Sequence, residues 1–490
     1  MVSPQSRALL PIVGGILAIG LVKTKQAKSI TPDPQILHVL NRLSFGPRPG
    51  EIEKIKSTTI EAYIQSQLDP KSIPESPKLT QRLDRLETLS MTPVEIFTEY
   101  VPTRRQRRQM SRQQIKMQRK RSRKVIRQAM QALLMRAIDS TRQLQEVTSD
   151  FWFNHFNVFA RKGLAYLWVG NYEQQAIRPH VFGRFRDLLG ATARHPAMLV
   201  YLDNWLNTAP DSPGARGRFK GINENYAREL MELHTLGVNG GYTQEDVVAL
   251  ARILTGWSLS RRGRKGDGSG FYFNPNRHDF SDKIFLGHTI KGSGIEEVEQ
   301  ALDILASHPS TARHISYKLA QYFVADEPPK TLVDVLAKRF LETDGNIGAV
   351  LQTLFQTQEF LDPKYYGSKF KTPYQYIISA IRASGAENPK HNFTYGMLRQ
   401  LGMPIYGCQT PNGYKNTRDA WLNPDGMMRR VSFATAIANG RLNNKKPVDA
   451  DQLVETLGNT FSDRTNDVIE NSPQRLKAAL MLGSPEMMHR

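Results

Sequence analysis

Residues 223–257 read NENYARELMELHTLGVNGGYTQEDVVALARILTGW, and their periodicity decides the fold class. On a helical wheel of about 100° per residue, Glu229, Glu232 and Leu236 fall within about 40° of Asn225. Leu233, Tyr226, Leu230, His234, Ala227 and Met231 take the other side. The stretch therefore predicts a helix with a stripe of two carboxylates and an amide opposite an apolar face. Gly237, Gly240 and Gly241 end that helix and are placed to supply positive φ for a tight turn. Thr243 then offers an N-cap, with Asp246 at the third helical position completing a short capping box. A second helix follows over 244–255, with Val247, Val248, Leu250, Ala251 and Leu254 as its apolar positions.

Upstream, residues 112–156 predict a long helix with at most one break. Its C-terminal part repeats the pattern: Leu144, Phe151, Trp152 and His155 share one face, and Glu146, Asp150, Phe153 and Asn157 the other. A short amphipathic helix is expected near residue 36, stopped by Phe45-Gly46-Pro47. Further helices are expected over 296–306, 310–324, 329–342, 347–359, 373–384, 393–401 and 426–440. Residues 258–294 break the pattern with Gly and Arg. Their two extended pieces, 271–273 and 283–286, predict one small β-hairpin. The fold class is mainly α: a multi-helix bundle or array with a small hairpin insertion near 268–290.

The chain has 490 residues and is 40% hydrophobic, enough for a substantial core. A mean hydropathy of −0.46 excludes a polytopic membrane protein. The net charge is +20, but twelve Lys or Arg and no acid lie within residues 104–127, leaving an excess of only eight elsewhere. One cysteine, Cys408, excludes an intrachain disulfide and a cysteine-based metal cluster. Arg7 precedes an apolar run, ALLPIVGGILAIGLV, of signal-peptide length and short for a membrane span. Residues 1–30 are thus expected to be a signal peptide or an N-terminal anchor, with a buried first helix as the other reading. A helical domain over 31–440 and peripheral helices over 441–490 complete the expected organisation. The expected location is the bacterial envelope, exported or anchored; a cytoplasmic location is the alternative.

The motifs HVLNRLSFGPRPGEIEKI, RQLQEVTSDFWFNHFNV, RPHVFGRFRDLLGATARHPAMLVYLDN, NENYARELMELHTLGVNGGYTQEDV, RHDFSDKIFLG, ASHPSTARHISYKLAQYFVADEPP and PNGY with Trp421 run in order along the chain. In these stretches, covering about residues 35–440, the chain resembles the DUF1800 family of bacterial proteins. The resemblance implies a mostly helical, often exported protein. It also implies a partner of the DUF1501 type, a sulfatase- or phosphatase-like protein often encoded beside such chains. It implies no catalytic residues.

Paired carboxylates on facing helices are a way for bundles to build acid/base or metal sites. Glu229 and Glu232 are expected to meet Glu146 and Asp150, with Asn225 and Asn157 nearby. The structural alternative is that Arg142, Arg178 or Arg228 closes these acids in ion pairs. His155 and His234 read as core histidines, and His278-Asp279 as a loop pair that orders the hairpin. The turn at 237–246 lacks the acids of a calcium loop. No cofactor is predicted, with a divalent metal as the alternative if the four acids converge. Arg119, Lys120, Arg121, Arg123 and Lys124 sit in the basic run, which suits an anionic glycan or lipid surface. The run lacks interleaved aromatics, and export would remove nucleic acid as a partner. Two functions follow: a binding or assembly factor beside a hydrolase-like partner, or a hydrolase with its site between the two acidic helices.

Overall fold

The predicted helix–turn–helix forms, with one change of register. In the computed structural model, which describes residues 34–386, 389, 391–442, 446–458 and 460–490, helix Asn225–Glu229 widens into a π turn, Leu230–His234. Wider bonding delays each later side chain around the axis. Leu236, expected beside the acids, lies past the end of the π turn, where Thr235 has left the helical conformation, and is buried at 3% exposure. Gly237 and Gly241 take positive φ of 84° and 85°, whereas Gly240 does not. Thr243 caps helix Gln244–Ile253 in a reciprocal box with Asp246.

Almost every other element is helical, as expected. The 112–156 helix is broken once, into Arg112–Asp139 and Gln143–His155. The expected C-terminal helices are Ile295–Ser307, Pro309–Phe323, Lys330–Glu342, Ile347–Gln356, Pro373–Ala383, His391–Gln400 and Pro424–Ala438. The expected β insertion forms, with the two extended pieces in separate antiparallel pairs. Phe271–Phe273 pairs back to Trp257–Leu259, and Lys283–Phe285 pairs with His288–Ile290. The reason is the length of chain between the two extended pieces. It holds a helical turn at Pro275–Arg277 and the buried His278, which bonds Glu297 and the carbonyl of Thr255.

Pro32–Arg490 is one compact unit, built around helix Pro373–Ala383, all of whose side chains are buried. The N-terminal part of the chain docks on it through Arg382. That guanidinium donates to the carbonyls of Gly46 (2.7 Å) and Ile138 (2.9 Å) and to both Glu51 oxygens. Tyr376 donates its hydroxyl to the carbonyls of Leu482 and Arg430. Residues after 440, expected to be peripheral, return to this centre. Phe370 and His489 form a β-bridge, and Lys371 N–H bonds the Met488 carbonyl. The physical reason is that these last residues supply the pairing for the backbone leading into the buried helix. The expected leader, residues 1–30, lies outside the described residues.

Replacing Arg382 with Met should destabilise the fold by about 3–5 kcal/mol, because two buried carbonyls and Glu51 lose their donor together. Glu51→Gln should cost less, since Arg382 keeps its bonds to the Gly46 and Ile138 carbonyls and a Gln oxygen still accepts one bond from it; urea unfolding reads both. Burial also withholds protons from several histidines. His38, His195 and His234 are pushed down to about 3 and His314 to about 4, and His155 lies well below its usual range. Arg42 adds to the effect at His38, and Lys318 at His155, His234 and His314. Below pH 6.5 the unfolded chain takes up protons that the folded one refuses. Each refused proton weakens the fold by about 1.4 kcal/mol per pH unit. Asp150, Glu173 and Glu229, raised by burial, act in the opposite sense but are fewer. The urea midpoint should therefore fall steadily from pH 6.5 to pH 4.5.

Candidate functional site

The four acids of the two helices do not gather. Glu146 is closed by Arg178 in a two-pronged pair, Nη1–Oε2 2.6 Å and Nη2–Oε1 2.7 Å, with both side chains largely buried. The pair lifts the Arg178 guanidinium further above its usual range, against the cost of burial. Glu229 and Glu232 stay half-buried on their own helix. Burial, then the charge of Glu232, raises the Glu229 carboxyl, while Arg228 lowers it. Arg228 stands 3.9 Å from Glu232 but bonds Glu224 and Gln244 more closely, at 3.1 and 2.9 Å. Asn225 is taken up by structure: its amide donates to the Leu202 carbonyl. Among the described residues, no three His, Cys, Asp or Glu are grouped to hold a metal ion.

Asp150 is the acid that faces a cleft. Helix Gln143–His155 brings Asp150, Phe151, Asn154 and His155 to one wall. Helix Pro309–Phe323 brings Lys318, Gln321 and Tyr322 to the other, and Thr372 and Gln375 form the floor. The cleft measures about 380 Å³. The loop 403–417 covers it and is pinned by two amides: Asn157, which the sequence pattern had placed beside the acids, and Asn154, which it had not. Asn154 exchanges two backbone bonds with Tyr414, each 2.8 Å, and Asn157 donates to the carbonyls of Thr410 and Cys408. This explains the Pro-Asn-Gly-Tyr motif. Gly413 has φ of 70°, and a Cβ there would lie 2.2 Å from the Asn154 carbonyl oxygen.

Two side chains in the cleft have unusual chemistry. Burial pushes the Asp150 carboxyl up to about 7, aided by Glu173 and opposed by Arg490, and its nearest hydrogen-bonding group is the Tyr322 hydroxyl at 3.5 Å. Lys318 is part-buried, makes no hydrogen bond or ion pair among the described residues, and is lowered to about 8 by burial. Its titratable neighbours are His155, His234 and His314, all held neutral. His155 and His234 are core residues, as expected: His155 Nε2 lies 3.1 Å from the His234 carbonyl. Lys318, Tyr322 and Glu173 were missed from the sequence. Glu173 is buried against the Tyr406 hydroxyl, near Arg178 and Arg136. A larger hollow of about 940 Å³ at Gln131, His391, Arg429 and Arg441 has no carboxyl on its wall.

His278-Asp279 has the ordering role expected of it. His278 and Lys283 both bind the buried Glu297, and Asp279 bonds Arg252 at 2.7 Å. The basic run forms helix Arg104–Gln109 and the first half of Arg112–Asp139. Arg121 pairs with Glu99 and Lys124 with Glu87. Arg119, Lys120 and Arg123 are exposed and have no ion pair among the described residues. Arg261, on the 258–270 loop, is lowered by burial and by the like charges of Arg218, Arg104 and Arg262, so the cationic surface extends beyond the run.

No helix among the described residues is long and apolar enough to cross a membrane. No curated protein and no solved structure matches the chain. One family model, described as a protein of unknown function (DUF1800), matches residues 38–489. That span includes both acidic helices, the cleft, the loop that covers it and the returning C-terminal residues, and so the chain belongs to the DUF1800 family.

Proposed function

We propose that this chain is a binding and assembly factor of the bacterial envelope that docks a polyanion on its basic face and works beside a sulfatase- or phosphatase-like DUF1501 partner. One observation carries the docking: the cationic face at 104–127 is exposed and mostly without counter-charge, and Arg218, Arg261 and Arg262 extend it. Like charges held together on a surface repel one another, and an anionic partner removes that cost. The 104–127 run itself has no aromatic side chain between its cations, which favours a sulfated or carboxylated glycan, or anionic headgroups, over a stacked base there; rings enter only beside it, where Arg218 lies over Trp205 and Phe219 and Arg261 and Arg262 over Phe97. The partner and the envelope location rest on the family alone.

The alternative, an acid/base or metal-dependent hydrolase with carboxylates from both helices, has less support. Glu146 is closed by Arg178, and the cleft wall holds a single carboxyl, Asp150.

Replacing Arg119, Lys120, Arg121, Arg123 and Lys124 together with Gln should make the protein leave a heparin column at clearly lower salt. Stability should change by no more than about 0.5 kcal/mol per site, as for exposed positions generally. Unchanged elution would refute the docking role. Flotation with anionic vesicles separates the two sources: retention by heparin without flotation indicates a glycan. Co-purification from the native host tests the partner and the compartment together.

A further inference from the structure

The cleft between helices Gln143–His155 and Pro309–Phe323 is not explained by a basic docking face. We propose that it binds a small hydroxylated carboxylate of the sugar-acid class, with the Lys318 ammonium holding the carboxylate and the Asp150 carboxyl bonding its hydroxyls.

Charge comes first. A part-buried ammonium without a counter-ion is costly, and a bound anion supplies the missing charge. Lys318 is such a group: no acid pairs with it, and the three histidines beside it are neutral. Lys415 adds a second cation to the cleft wall. The lone acid there, Asp150, has the Arg490 guanidinium behind it and is substantially protonated at neutral pH. A ligand anion therefore meets a net positive site.

The hydrogen-bond inventory argues for hydroxyls in addition. Asp150 has only the long contact to Tyr322. A carboxyl that holds its proton both donates and accepts, so it pairs with an alcohol hydroxyl, which a bare inorganic anion does not offer in the same way. The rings of Phe151 and Tyr414, the latter pinned by Asn154, offer apolar surface for the C–H side of such a ligand. The volume of about 380 Å³ lies in the usual range of small-molecule sites and excludes a large lipid.

The test is calorimetric titration of the full chain with glucuronate near pH 6, with glucose and acetate as controls. Glucuronate should bind saturably and more tightly than either control. Lys318→Met should weaken it by about tenfold or more, the usual effect of losing a charged hydrogen bond. Lys318→Arg should recover part of the affinity, which shows that loss in the Met variant is not misfolding. Affinity should fall as pH rises from 6 to 9, as Asp150 ionises near 7 and Lys318 loses its proton near 8; Asp150→Asn should remove the first of these steps. No saturable binding of glucuronate, or binding unchanged by Lys318→Met, overturns the site. Acetate binding as tightly as glucuronate overturns the role of the hydroxyls. The five-site Gln variant of the basic face should bind glucuronate normally. Loss there, with Lys318→Met unaffected, would place the ligand on the basic face instead. The heparin and glucuronate results thus fail independently.

Discussion

Helix Pro373–Ala383 has no solvent-facing side, and the rest of the chain is arranged to satisfy it. A helix buried all round must find partners for every polar side chain that it carries. Arg382 solves this with backbone carbonyls from Gly46 and Ile138 and the Glu51 carboxylate, which draws the N-terminal helices inward. Tyr376 does the same for the C-terminal helices. Lys371, just before the helix, is buried without an acid partner. It is lowered to about 7 by burial, with Arg490 and Arg430 adding to it, and donates to Ser379 and the Met487 carbonyl. Distant parts of the chain thus meet at one short helix.

The cleft is a consequence of that meeting. Gln375, in the first turn of the buried helix, donates to the Tyr322 hydroxyl, and the same hydroxyl reaches Asp150. Arg490 lies over the Tyr322 ring at 4.4 Å and bonds its carbonyl, so a residue from the far end of the chain shapes the field on Asp150. Loop 403–417 then closes over Asn154 and Asn157. The unusual proton affinities of Asp150 and Lys318 follow from burial more than from any neighbouring charge.

Charge is divided by place. Inside, Glu146 and Glu297 are each met by a cation and the buried Arg382 is met by Glu51, since an unpaired buried charge is expensive. Outside, the 104–127 surface keeps its cations mostly unpaired. Water screens their repulsion enough for the fold to tolerate it without matching acids, and what repulsion remains is what an anionic partner relieves.

The helical class, the turn at Gly237 and Gly241, the Thr243 cap and the core positions of His155 and His234 were all legible in the sequence, because each depends on residues within a turn or two of helix. The basic run was legible as composition. The β insertion was half legible: the extended pieces were clear, but their partners lay farther along the chain. The site was less so. A helical wheel shows that Glu146 and Asp150 share a face, not that Arg178 would cover one and a cleft receive the other. Lys318 and Tyr322 carry no local signal, because an i, i+4 pair on an ordinary amphipathic helix reads as structure. The sequence by itself determined which helices form and where they stop, since periodicity and capping act over a few residues. Only the tertiary structure decided which carboxyl is paired and which is open, because counter-charge and burial come from other segments: Arg178, 32 residues on, closes Glu146, and Tyr322, 172 residues on, faces Asp150.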